Sequence, residues 1–160
     1  MPSNKDESDF LWGMYQEHTT QGRHHEVQRT TMTSVLVAIA AGVLAFISNK
    51  DVPLIKWPLA LFLIITGCFG AVFSAKHTER ARLHMSIAGS YRTTLEAMLG
   101  NGLASIRERA ETKHRKEWRR MERRRLHNFF IGLHLLIAML GLILLALIIF
   151  KGLGAANSTS

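Results

Sequence analysis

The chain has one cysteine and three prolines in 160 residues, and no acidic residue in any of its long apolar runs. A lone Cys68 excludes an intrachain disulfide and a thiolate cluster for zinc or iron–sulfur. Because Cys68 sits inside an apolar run, it is expected as a small filler rather than a redox centre. The apolar runs, at about 32–48, 57–75 and 129–150, lack Asp and Glu, so the carboxylate relay of a proton-coupled transporter is missing. No HExxH pattern, phosphate-cradling glycine loop, nucleophile–base arrangement or paired carboxylates stands out. Neither an enzyme nor a cofactor is expected, and no metal site: none of the eight histidines has another histidine or an acid four residues away.

What is present is segregated. The chain is 48% hydrophobic yet carries a net charge of +8, and the two kinds of residue lie in separate blocks. Such blocks signal membrane spans rather than an amphipathic globular core. The fold class expected is an all-α integral membrane protein, with three transmembrane helices and a cytoplasmic antiparallel helical hairpin between the second and third.

Residues 1–31 form a cytoplasmic N-terminal segment with an amphipathic helix, capped at Ser8 or Asp9 and bearing Phe10, Leu11, Met14, Tyr15 and His18 at helical spacing. Trp12 and Tyr15 suit a headgroup boundary; the plainer alternative is that this face packs on the protein's own cytoplasmic helices. Met1 to Asp9 is polar and acidic, so no cleavable leader is expected.

Residues 32–75 read as a two-span transmembrane hairpin. Ala38 and Gly42, and Ala41 and Ala45, are small residues four apart, and Thr66, Gly67, Gly70, Ala71 and Ser74 give the second span a similar face. Small faces let helix backbones approach closely, so these two are expected to pack on each other. Residues 49–53 make the turn, with Pro58 in the first turn of the next helix.

Residues 76–127 carry 14 of the 20 Lys and Arg residues. Leu83, Ile87, Tyr91, Leu95 and Met98 form one apolar stripe. Gly100-Asn101-Gly102 breaks it with Gly100 as a cap, Ser105 and Glu108 have capping-box spacing, and Ile106, Ala110, Trp118 and Met121 form a second stripe. Two nearly equal arms are the result. The positive-inside rule places this segment and the N-terminus in the cytoplasm and the C-terminus outside, in a membrane expected to be a bacterial inner (plasma) membrane. Arg119, Arg120, Arg123, Arg124 and Arg125 are candidate contacts for anionic lipid headgroups, at about 1 kcal/mol per cation. Nucleic acid is disfavoured, because the run has no interleaved aromatic residue besides Trp118.

Residues 128–151 form the third transmembrane helix, with 152–160 a flexible tail. His134 is the intramembrane polar candidate, since an ionisable group inside a span marks function by default. His134, Ala138 and Gly141 fall on one stripe, and a hydrogen bond from the imidazole to Thr66 or Ser74 is the structural alternative.

In layout, the Trp12/Tyr15 helix, the 32–75 hairpin and the helix after it resemble the SLATT-type membrane effectors of bacterial anti-phage systems. The resemblance implies self-assembly and membrane permeabilisation on a signal. The function expected is therefore a non-enzymatic, self-associating protein, a signal-responsive pore-forming or membrane-disrupting effector. The alternative is a membrane-anchored adaptor or insertase-like factor whose hairpin binds a cytosolic protein. The expected partners are a bilayer with anionic headgroups and further copies of the chain.

Overall fold

A computed structural model of the protein describes residues 4–49, 53–100, 102–117 and 126–157. All four elements among the described residues are helices: α1 (Asn4–Asn49), α2 (Pro53–Leu99), α3 (Gly102–Glu117) and α4 (Leu126–Asn157). Three of them, α1, α2 and α4, are long and apolar enough to cross a membrane.

The boundaries differ from the sequence expectation in informative ways. Helix α1 starts at Asn4, with Asp6 and Glu7 in its first turn where they complement the macrodipole. Ser8 is thus inside the helix, its hydroxyl donating to the Lys5 carbonyl at 2.9 Å rather than capping. Nothing breaks α1 between the polar segment and the first apolar run, because no proline intervenes and pairs such as Gln21 with Glu17 (2.9 Å) support the polar turns.

Helix α2 begins at Pro53, which puts Pro58 in its second turn rather than its first. Gly100 ends the run with φ of +100°, a conformation glycine adopts without steric cost. Because α3 starts at Gly102, Ser105 cannot cap it; the Ser105 hydroxyl instead donates to the Gly102 carbonyl at 2.9 Å. Helix α4 continues through Asn157, so the helix extends past the expected end of the third span at 151. Ala155 and Ala156 are strong helix formers that offset Gly152 and Gly154, and propagating a long helix costs far less than nucleating one. The expected turn at 50–52 lies outside the described residues.

The chain divides into two compact units, to each of which α1 and α2 contribute a segment. The apolar unit comprises Gln28–Lys76 and His127–Ser160. In it α1 and α4 run parallel, since Arg29 meets Phe130 and Thr33 meets His134. Helix α2 runs antiparallel to α4, with Gly67 beside Ala138, Gly70 beside His134 and Gly141 beside Ala60. Ala40, Ile47, Leu63 and Ile137 form the core. Only 22%, 33% and 22% of the most apolar windows of α1, α2 and α4 is buried within the chain, so most of their lateral surface faces outward.

The charged unit comprises Met1–Val27 and His77–Leu126. Here the N-terminal part of α1 packs antiparallel on the C-terminal part of α2, through buried Leu11, Ala81 and Ala88 and through Gly22, where an added Cβ would lie 3.0 Å from the Met85 sulfur. The apolar face at Leu11, Tyr15 and His18 therefore finds its partner within the chain. Helix α3 contributes little: Ile106 is 58% exposed, and Ala110 and His114 are exposed too. The stripe that starts at Ile106 is exposed at Ile106 and Ala110, and its Trp118 and Met121 lie outside the described residues. An ion pair from Arg107 to Glu96 at 3.1 Å links α3 to α2.

Candidate functional site

Two constellations gather chemistry-bearing side chains, one in each unit, and both are built on histidine. In the apolar unit His134 is 1% exposed. Its Nε2 lies 3.1 Å from the Thr33 hydroxyl of α1, and its Nδ1 has no hydrogen-bond partner among the described residues. A buried N–H without an acceptor is costlier than an unused lone pair, so the tautomer that fits carries its proton on Nε2 and donates it to Thr33.

The ring has room because α2 presents glycine to it. A Cβ at Gly70 would sit 2.6 Å from His134 Cε1, and a Cβ at Gly67 2.5 Å from the Ala138 nitrogen and 2.7 Å from the His134 carbonyl oxygen. Gly141 makes the reciprocal approach, 2.8 Å from the Ala60 carbonyl oxygen. Beside this seam the Arg29 guanidinium stands 4.6 Å from the centre of the Phe130 ring, a favourable cation–π distance.

These contacts relocate several expectations. The partner of His134 is Thr33, not Thr66 or Ser74, although both of those are buried. The small face of α2 turns toward α4, where the imidazole demands a cradle, rather than toward α1. Of the residues singled out for packing, Gly67, Gly70, Ala138 and Gly141 lie in this α2–α4 contact, and Ala71 is half-buried. Ala38 and Gly42 are exposed, with nothing within 4 Å of a Cβ added at Gly42. Helix α1 packs through Leu36, Ala40 and Ile47 instead.

In the charged unit four histidines share one seam. His18 Nδ1 lies 3.0 Å from His84 Nδ1, and His25 Nδ1 lies 3.3 Å from His77 Nδ1. The rings of His25 and His84 stack at 5.5 Å, joining the two pairs, and Tyr91 stacks on His18 at 5.8 Å. The protonated form of His25 is disfavoured: burial holds its pKa below the usual imidazole value, helped by His77, His84, His24 and Arg80. The sequence signal was heptad spacing. Leu11, His18 and His25 are seven apart, as are His77, His84 and Tyr91, and an antiparallel helix pair brings such positions into one seam. A search for i,i+4 ligand pairs misses it. Among the described residues no three His, Cys, Asp or Glu side chains are placed to hold one metal ion.

Toward the far end of the same unit, Trp12, Leu95, Leu99 and Ile106 line an open groove of about 520 Å³ rimmed by Arg92 and Arg107. Arg119, Arg120, Arg123, Arg124 and Arg125 lie outside the described residues. Cys68 is exposed on α2. Compared with protein-family models, with curated proteins and with solved structures, the chain matches none.

Proposed function

We propose that the chain is a non-enzymatic integral membrane protein that self-associates through its spans and permeabilises the membrane when a signal reaches its charged unit. In this reading α1, α2 and α4 cross the bilayer, the N-terminus and the 76–127 helical hairpin are cytoplasmic, and the C-terminus is outside. The Lys and Arg distribution supports that orientation.

The observation that carries self-association is the unused small face of α1. Ala38 and Gly42 are exposed while neighbouring positions pack. In hydrocarbon the hydrophobic effect does not drive helices together; close packing and interhelical hydrogen bonds do. A small-residue face left exposed by the described helices is where another copy's backbone can approach. Arginines at 119–125 would hold the charged unit near anionic headgroups.

Reconstitution into vesicles containing phosphatidylglycerol and loaded with a self-quenching dye tests the proposal. Release that rises more steeply than linearly with protein-to-lipid ratio is expected, as for an assembly of several copies. Vesicles that stay sealed across the range, with the protein inserted, would contradict permeabilisation.

The groove at Trp12, Leu99 and Ile106 favours a second reading, an adaptor or insertase-like factor whose charged unit binds a cytosolic protein. Deleting 81–120 separates the two: an adaptor loses its partner, whereas a pore built from the spans still leaks.

A further inference from the structure

We propose that the His18–His84 and His25–His77 pairs form a proton-operated latch, closed while the imidazoles are neutral and opened by acidification. The inference rests on the geometry of the charged unit alone, independent of whether the spans assemble.

At 3.0 and 3.3 Å, facing Nδ1 atoms are within hydrogen-bond distance. In each pair one Nδ1 must donate and the other accept, so one ring keeps that nitrogen bare. Either ring can take either part. The pair therefore accommodates two neutral imidazoles, or one neutral and one charged. When both rings are protonated, two N–H groups point at each other, the hydrogen bond is lost and two cations face across the seam. The two pairs are not independent, because His25 stacks on His84. Charge on His84 makes a proton on His25 costlier.

The surroundings reinforce this bias. From α1 the seam receives His18, His24 and His25; from α2 it receives His77, Arg80, His84 and Tyr91. Arg80 adds positive charge, and Tyr91 supplies a stacked ring to His18. The acids closest in sequence, Glu17, Glu26 and Glu79, are exposed, where solvent screens their charge. His25 accordingly has a lowered pKa, burial being the first cause.

The sign follows from linkage. A histidine with a depressed pKa in the closed seam binds its proton more readily once the seam opens. The closed form is thus fully favoured above the ordinary histidine value of about 6.5, and loses ground as pH falls through that value. Each additional proton taken up on opening shifts the equilibrium about tenfold per pH unit. The fully buried apolar residues of this helix pair are Leu11, Ala81 and Ala88, with Met14, Ile87, Leu95 and Met98 half-buried.

Spin-label distances in the full-length protein, reconstituted in nanodiscs, test the latch. Cys68→Ser removes the native thiol, and labels at Thr20→Cys and Ser86→Cys, both exposed positions, report on the two helices. A single short, narrow distance is expected at pH 8, giving way to a longer and broader population by pH 5. His25→Gln/His77→Gln, which keeps polar neutral side chains, is expected to weaken the dependence, and adding His18→Gln/His84→Gln to abolish it. A wild-type distribution unchanged between pH 8 and 5 overturns the proposal without any variant. It is also overturned if the pH response survives in the quadruple variant, or if zinc at pH 8 changes the distance while protons do not, which would make the imidazoles metal ligands instead.

Discussion

In the apolar unit one histidine is sealed: His134 is 1% exposed, tied to Thr33 and pressed against Gly70. In the charged unit four histidines are half-exposed and tied chiefly to one another. The first arrangement spends glycine to make space and leaves the ring one orientation. The second uses no cradle, and its partners change character with every proton gained. The same side chain thus serves as a rigid tie where water is excluded and as a responsive contact where water can reach it. What differs is the company each keeps: backbone and a hydroxyl in one case, further imidazoles and Arg80 in the other.

The contrast breaks most visibly at Gly70. A side chain there would collide with the His134 ring rather than with a flexible chain end, so Gly70→Leu is expected to destabilise by about 3 kcal/mol, as overpacking of a tight core does. Thermal unfolding in detergent, followed by circular dichroism, should show the loss. An equivalent substitution at Gly13, where nothing lies within 4 Å of an added Cβ, is expected to cost nothing comparable.

Acidification is the next largest effect, and it should divide the two units. From pH 7.5 to 5.5, amide-exchange protection corrected for intrinsic rate is expected to fall at 14–25 and 77–91 while remaining at 60–70 and 134–141. The sign comes from the lowered pKa of His25, caused first by burial: closure is favoured above about 6.5 and weakens below it. Uniform loss across both units would erase the distinction.

Thr33→Val sharpens the comparison from the other side. It removes the hydrogen-bond partner that His134 has among the described residues while nearly preserving shape. A cost of about 1 kcal/mol is expected, since interhelical hydrogen bonds among apolar helices are worth about that or less. The unfolding midpoint in detergent checks it. The smallest effect is expected at Glu96→Gln. Its carboxylate takes Arg107 at 3.1 Å and Arg92 at 3.8 Å, but Arg107 is 35% exposed, and solvent-screened pairs contribute about 0.5 kcal/mol.

Much of this was legible in the chain. The apolar blocks mark the three long helices, Gly100 marks the end of α2, and His134 stands out as a polar residue in an apolar run. Periodicity identifies which residues share a face but not which helix that face meets. Gly67 and Gly70 are small yet face α4, because the bulky ring that needs them sits there; Ala38 and Gly42 have the same spacing and are exposed. The seam of His18, His25, His77 and His84 is not visible in the sequence for a related reason. Its two strands of heptads lie 52 to 66 residues apart in sequence, and only the antiparallel pairing of α1 with α2 superimposes them.

The unused face of α1 carries the functional account, and native mass spectrometry of detergent-released protein tests it most directly. A Cβ added at Gly42 meets nothing within 4 Å among the described residues, so Gly42→Leu is expected to leave the folded monomer's stability unchanged. The wild type is expected to appear as discrete oligomers, and Gly42→Leu as predominantly monomer with unchanged helicity. A wild type that is monomeric at every concentration, or oligomers indifferent to Gly42→Leu, would contradict assembly through this face.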